Sequence, residues 1–205
     1  TSASVDDSNG GAVAIIYGQR YNGLTNAGNQ LIDQNSPGMA GGVEKDDRFG
    51  ESLTVGDFDH NGFDDLVVGT PGEGAGGNRG GAVSVILGSN GGLAPTINTL
   101  IDQSHITGAS LEDADLFGAA LATGDFDGNG SDDLAIGAPG EKVGSGLFNH
   151  AGEVNVVYGD KFLPTITVSS NNGFISEVSP NSAQFVVTRP GGLGPATTVT
   201  LRSVG

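Results

Sequence analysis

The stretch DFDHNGFDD starts at Asp57, and DFDGNGSDD starts at Asp125. Each carries an oxygen-bearing side chain at positions 1, 3, 5 and 9 of nine. In the first these are Asp57, Asp59, Asn61 and Asp65; in the second, Asp125, Asp127, Asn129 and Asp133. Alternate spacing turns three side-chain oxygens inward as the backbone curls. Glycine at position 6, Gly62 or Gly130, permits the positive φ of a sharp turn. Position 7 is Phe63 in one copy and Ser131 in the other, so its side chain is free to vary if its backbone carbonyl is what serves. The carboxylate at position 9 closes the ring from the next strand. An all-oxygen, largely anionic set suits Ca²⁺, whereas Mg²⁺ prefers a tighter octahedron with more water and Zn²⁺ prefers His. His60, at position 4, is expected to point outward. Two Ca²⁺ sites are therefore expected.

The electrostatics favour a bound cation. Two carboxylates at about 4 Å repel by roughly 1 kcal/mol in water and about 4 kcal/mol at an effective dielectric of 20. Neither loop contains a Lys or Arg to offset this. A solvated Asn-Gly hairpin would account for either loop alone; the recurrence of both in matching surroundings favours a counter-ion. An EF-hand needs a bidentate Glu at position 12 and flanking helices. Position 12 is Val68 or Ile136, inside an apolar run, so the expectation is a strand–loop–strand site. Asp64 and Asp132, at position 8, are read as outward-facing charges.

The elements that must hold these loops recur with them. RFGESLTVGDFD (48–59) parallels LFGAALATGDFD (116–127), and GTPGE (69–73) parallels GAPGE (137–141), both at an offset of 68 positions. LIDQ occurs at 31 and at 100, while GGAVAIIYG, GGAVSVILG and AGEVNVVYG start at 10, 80 and 151. One unit of about 69 residues thus occurs twice, preceded by the tail of an earlier one; this exceeds the roughly 20–50 residues of common solenoid repeats. Its segments are short, β-branched and punctuated by Gly and Pro, with Val83, Val85 and Leu87 on one face. Both faces of these strands are apolar, as when sheets stack on both sides. No stretch has helical periodicity. The fold class is all-β, with one small antiparallel sheet per unit.

After Gly159 the repeat stops, and TITVSS, QFVVTRP and TVTLRS alternate strictly. A boundary is expected near Leu163–Pro164, giving one domain over 1–163 and part of a second, a β-sandwich, over 164–205. The opening TSASVDD has neither an initiator Met nor a leader pattern, so the chain is read as a segment of something longer.

Bulk properties exclude several function classes. A net charge of −16 repels phosphates and argues against a nucleic-acid partner. With no cysteine there are no disulfides, thiolate metal sites or cysteine nucleophiles. No apolar run is long enough to span a membrane. Serine-hydrolase, P-loop and zincin motifs are missing, and GEGAGGNRGG (72–81) reads as a long hairpin loop. His60, His105 and His150 share no pattern and read as surface residues.

The assembled motif, FG…GDFDHNGFDDLVVGTPGE…GGAVSVILG and its second copy, resembles FG-GAP repeats, the β-propeller blades of integrin alpha subunits and many secreted bacterial proteins. Phe49-Gly50 and Phe117-Gly118 supply the FG; Gly69-Thr70-Pro71 and Gly137-Ala138-Pro139 supply the GAP, with Thr70 a departure of little expected consequence. The resemblance covers about residues 10–163. It implies four-stranded antiparallel blades, one Ca²⁺ in each hairpin between a blade's first two strands, and the Phe plugging the space between blades. It also implies a larger propeller than the incomplete one visible, since closure takes roughly four to eight blades. ITVSSNNGFISEVSPNSAQFVVTRPGG followed by TVTL is similar to the start of a Calx-beta domain. The function implied is a calcium-binding, extracellular or cell-surface module, non-catalytic, that recognises a protein or glycan in adhesion. The alternatives are a propeller appended to a secreted hydrolase and a structural spacer in a large surface protein.

Overall fold

The computed structural model describes residues 10–74, 79–106, 108–109, 111–142 and 151–159, plus the backbone of 167–170 and 185–188. Strands β1 (Val13–Gln19) and β2 (Gly23–Ile32) form an antiparallel pair. Strands β3 (Ser52–Gly56), β4 (Asp65–Thr70), β5 (Ala82–Ile86) and β6 (Asn98–Ile101) form a four-stranded antiparallel sheet in sequence order. Strands β7 (Ala120–Gly124), β8 (Asp133–Ala138) and β9 (Glu153–Val157) form a three-stranded one. The first unit thus has the four strands expected of a blade. Of the second, three fall among the described residues, because 160–166 lie outside them. The only helical element described is a 3₁₀ turn, Gln103–His105, capped by Asp102.

The registers show why the repeats recur. Ser52 to Gly56 pair with Gly69 to Asp65, and Ala120 to Gly124 pair with Gly137 to Asp133, so equivalent residues occupy equivalent rungs. Each nine-residue acidic loop is the turn of the hairpin between the first two strands.

Stacking buries both faces of the central sheet. Every residue of β4 and β5 is buried. Leu66, Val68 and Ile86 face one way and pack with Val13, Ile32 and Phe49 against the β1–β2 pair. Val67, Val83 and Val85 face the other way and pack with Phe58, Phe117, Leu134 and Ile136 against the next sheet, with Leu87 beside them. An apolar run of alternating direction is what two buried faces require. Among the described residues the β7–β9 sheet is covered on one side only: Val154 and Val156 are exposed.

The FG motif locks consecutive units by backbone contact. Phe117 N donates to Gly80 O at 2.8 Å, and Phe49 N donates to Gly10 O at 2.7 Å. A Cβ on Gly81 would lie 2.3 Å from Phe117 O, and one on Gly11 would lie 2.1 Å from Phe49 O. The Gly-Gly pair of one unit is therefore the socket for the FG of the next. Within a unit, Gly118 N donates to Gly137 O and Gly50 N to Gly69 O, joining FG to GAP. The innermost strands also touch across units: Thr123 Oγ1 donates to Val55 O at 2.8 Å, and Ser52 Oγ to Gly118 O at 2.5 Å.

Thr70 proves less neutral than the sequence suggests. It is 1% exposed, and its Oγ1 has no hydrogen-bond partner, whereas its counterpart Ala138 needs none. The expected boundary at 163–164 lies outside the described residues. Beyond it β10 (Thr167–Ser170) pairs antiparallel with β11 (Phe185–Thr188), and the expected strand at 198–203 also lies outside.

The stacking makes two measurable predictions. Phe58 and Phe126 occupy the same motif position, but Phe58 is 0% and Phe126 52% exposed. In urea denaturation, Phe58→Ala costs about 3–5 kcal/mol and Phe126→Ala under about 1; equal losses would contradict the packing. Thr70→Ala leaves stability unchanged or raises it by about 1 kcal/mol, since a buried unpaired hydroxyl is removed.

Candidate metal centres

Each acidic loop is shaped by its own carboxylates before any ion is considered. Asp57 Oδ1 accepts from Asn61 N at 2.9 Å and Oδ2 from Gly62 N at 2.8 Å. Asp125 accepts from Gly128 N, Asn129 N and Gly130 N at 2.8–3.1 Å. Such Asx contacts wind the loop inward. The turn also needs left-handed backbone, with φ of 85° at Gly62 and 89° at Gly130. Asn61 Oδ1 accepts from Phe63 N at 2.8 Å and Asn129 Oδ1 from Ser131 N at 2.7 Å. At position 7 it is the backbone N–H of Phe63 and of Ser131 that makes this contact in both copies, and Phe63 is exposed whereas Ser131 is buried.

The position-9 carboxylates stand at the first residue of β4 and of β8 and are fully buried. Asp65 Oδ2 accepts from Phe58 N at 3.0 Å and Oδ1 from Gly88 N at 2.7 Å. Asp133 repeats this with Phe126 N at 2.7 Å and Gly159 N at 2.9 Å. Gly88 and Gly159 close the third strand of their sheets, where a Cβ would lie 2.2 Å from the carbonyl oxygens of Asp64 and Asp132. Two N–H donors fix each carboxylate in place and leave one further lone pair on each oxygen.

Three carboxylates converge in both loops. Oxygens of Asp57, Asp59 and Asp65 lie within 4.8 Å of one another, as do those of Asp125, Asp127 and Asp133. Oxygens bound to Ca²⁺ at 2.3–2.6 Å are separated by up to about 5 Å, so the spacing fits one such ion. Burial, opposed by the two backbone hydrogen bonds and assisted by the charges of Asp59 and Asp57, pushes the Asp65 carboxyl up to about 6. Val68 and Ile136, at position 12, lie fully buried inside β4 and β8, which excludes an EF-hand ligand there. His60 is exposed, as is His105; His150 lies outside the described residues.

One acidic residue departs from expectation. Asp64 is exposed, but Asp132 is half-buried, and its Oδ2 accepts from Asp57 N at 2.9 Å. Asp132 N in turn donates to Asp57 O at 3.2 Å. The second loop therefore grips the first. Sequence pattern alone does not reveal this, because the contact joins two units and the position-8 residues look alike.

A pH effect follows from Asp65. Its folded-state carboxyl titrates above the unfolded value, so the folded chain holds the proton more tightly, and stability falls as pH rises from about 4 through about 6. In EDTA, the metal-free chain loses about 1–3 kcal/mol from this group across that window. Asp65→Asn flattens that part of the profile in urea melts taken at pH 4.5 and 7; an unchanged slope would contradict the assignment.

Comparison with known proteins agrees with the architecture. The FG-GAP repeat family matches residues 49–86 and 117–157. Rat phosphatidylinositol-glycan-specific phospholipase D is 36% identical over 133 residues, covering 62% of this chain and 16% of the rat protein. The human protein of that name is 38% identical over 128 residues, 60% of this chain and 15% of its own length. Integrin alpha-PS5 of Drosophila melanogaster is 45% identical over 98 residues, 47% of this chain and 9% of the integrin. The chain spans less than one-fifth of each of these relatives. Over residues 49–86 and 117–157 the chain is similar to FG-GAP repeats, and each matched segment is built around one acidic hairpin loop.

Proposed function

We propose that this chain is a calcium-binding segment of an extracellular β-propeller, serving protein or glycan recognition in adhesion rather than catalysis. The observation that carries the reading is the convergence of three carboxylates, twice, at the same point of two stacked sheets. Asp57, Asp59, Asn61 and Asp65, with the Phe63 carbonyl, would hold one Ca²⁺. Asp125, Asp127, Asn129 and Asp133, with the Ser131 carbonyl, would hold the other. The ion offsets carboxylate repulsion and pins the loop to the first residue of the following strand. The two open sheet faces are met by further blades of a complete propeller. Residues 164–205 begin a Calx-beta-like sandwich, consistent with the antiparallel β10–β11 pair. Similarity to an integrin alpha subunit supports the adhesive, surface-exposed setting.

A second reading has its own support. The relatives named phosphatidylinositol-glycan-specific phospholipase D favour a propeller appended to a secreted hydrolase. Assay of the whole protein for hydrolysis of a phosphatidylinositol-glycan separates the two.

Calorimetric titration tests the metal. Extracellular modules bind Ca²⁺ with Kd of about 10⁻⁴–10⁻³ M. At tenfold excess over Kd, each site adds about 1.4 kcal/mol to stability. Asp59→Asn and Asp127→Asn each remove one equivalent of Ca²⁺ and that share of the stabilisation; undiminished uptake in both variants would refute the loop sites. Capture of cell-surface proteins or glycans by the immobilised whole protein is expected in Ca²⁺ and lost in EDTA. Calcium-independent capture would point to the spacer role.

A further inference from the structure

A second pair of carboxylate groups lies at the other end of the same strands. Glu73 follows β4 and Glu141 follows β8, whereas the acidic loops precede them; five strand steps separate the two ends, roughly 17 Å. Glu73 is joined by Glu44 and Asp47, and Glu141 by Glu112 and Asp115, each trio offering oxygens within 4.8 Å of one another. A glutamine completes each group. Gln34 Nε2 donates to Glu73 Oε2 at 2.5 Å, and Gln103 Nε2 donates to Glu141 Oε2 at 2.5 Å. Gln34 follows β2 and Gln103 lies just beyond β6, so each glutamine comes from the sheet before the one that supplies the glutamate.

Three of the four members of each cup are buried, while Glu44 is exposed and Glu112 half-buried at the mouth, and the buried members are short of partners. Gln34 is 5% exposed and Gln103 0%, yet the Oε1 of both accepts no hydrogen bond. Asp47 and Asp115 are fully buried, and the Oδ1 of each is likewise unpartnered, while Oδ2 accepts from Glu44 N at 2.5 Å or Glu112 N at 2.8 Å. Two orphan acceptors thus recur in the same roles in both cups. A buried acceptor without a donor costs about 1–3 kcal/mol, so a repeated pair calls for an occupant. The nearby cationic side chains, Arg79 and Lys142, are exposed, and Arg79 Nη1 lies 3.6 Å from Asp46 rather than in the cup.

The backbone is also fitted around each cup. Gly72 N donates to Asp47 O at 3.0 Å and Gly140 N to Asp115 O at 2.9 Å. A Cβ on either glycine would fall 1.9 Å from the carbonyl oxygen of Asp46 or Ala114. This close approach brings the carboxylate before FG against the glutamate after GAP.

We infer that each unit carries a second divalent-cation site, formed by Gln34, Glu44, Asp47 and Glu73 in the first and by Gln103, Glu112, Asp115 and Glu141 in the second. The donors are all oxygen, three anionic and one amide, with neither His nor Cys, which selects a hard cation of the Ca²⁺ class. With the amide turned so that Oε1 replaces Nε2 beside the glutamate, the glutamine carbonyl supplies the ligand from the preceding sheet, and the ion bridges two sheets. The loop ion, in contrast, is held by one unit's own hairpin.

The test counts ions. The full chain carrying Asp59→Asn and Asp127→Asn is titrated with Ca²⁺ and, separately, with Tb³⁺, its fold checked by circular dichroism. Wild type is expected to take four ions and this variant two; adding Glu73→Gln and Glu141→Gln removes the remaining two. A folded loop variant that binds none overturns the inference. A wild type that takes only two ions, both retained in the loop variant and lost with the glutamates, sustains the cups and sinks the loops instead. Should the variants fail to fold, Tb³⁺-soaked crystals of the wild-type protein decide. Anomalous peaks beside Gln34 and Gln103 support the sites, and peaks confined to the loops, or none, overturn them.

Discussion

Stacking depends on one backbone contact, the docking of an FG dipeptide into the Gly-Gly socket of the preceding unit. Phe117 N–H reaches Gly80 O only because nothing projects from Gly81 into the space that Phe117 O occupies. That hydrogen bond draws the ring into the gap between sheets, where it is fully buried against Val83, Val85, Leu134 and Ile136. Side-chain burial supplies the larger free energy. The backbone bond sets the register in which it is gained, and the Phe49–Gly10 contact repeats the arrangement one unit earlier.

With register fixed, chemistry is placed at strand ends. Asp65 and Asp133 begin β4 and β8, so sheet pairing holds their backbone and two N–H groups hold their carboxylates. The remaining loop acids curl toward these anchored groups. Nine residues are enough because the strands perform the positioning and the loop supplies only oxygens. The acidic residues at the opposite end use a different construction: they come from separate segments brought together by stacking.

Much of this was legible in the sequence. The sheet count, the two buried faces of β4 and β5 and the partnership of Val83, Val85 and Leu87 follow from alternation and apolar content. The convergence of Asp57, Asp59 and Asp65 follows from spacing within one hairpin. What escaped was whatever links one unit to another. Asp132 looks like Asp64 in the repeat, yet it alone finds a neighbour's backbone amide. Gln34 and Gln103 sit in a repeated LIDQ whose meaning appears only when the next sheet lays a glutamate over the amide. Thr70 passes for a mild departure from alanine until its burial deprives the hydroxyl of a partner. Local periodicity reports which way a residue faces, whereas the partners of Asp132, Gln34 and Gln103 arrive from more than thirty residues away.

The Asp132 grip couples neighbouring hairpins. The amide and the carbonyl of Asp57 both pair with Asp132, a residue adjacent to the buried Asp133. Each hairpin lends the other one donor and one acceptor, so slackening of either withdraws both hydrogen bonds together. A disturbance in one loop is therefore felt by its neighbour in either direction along the array.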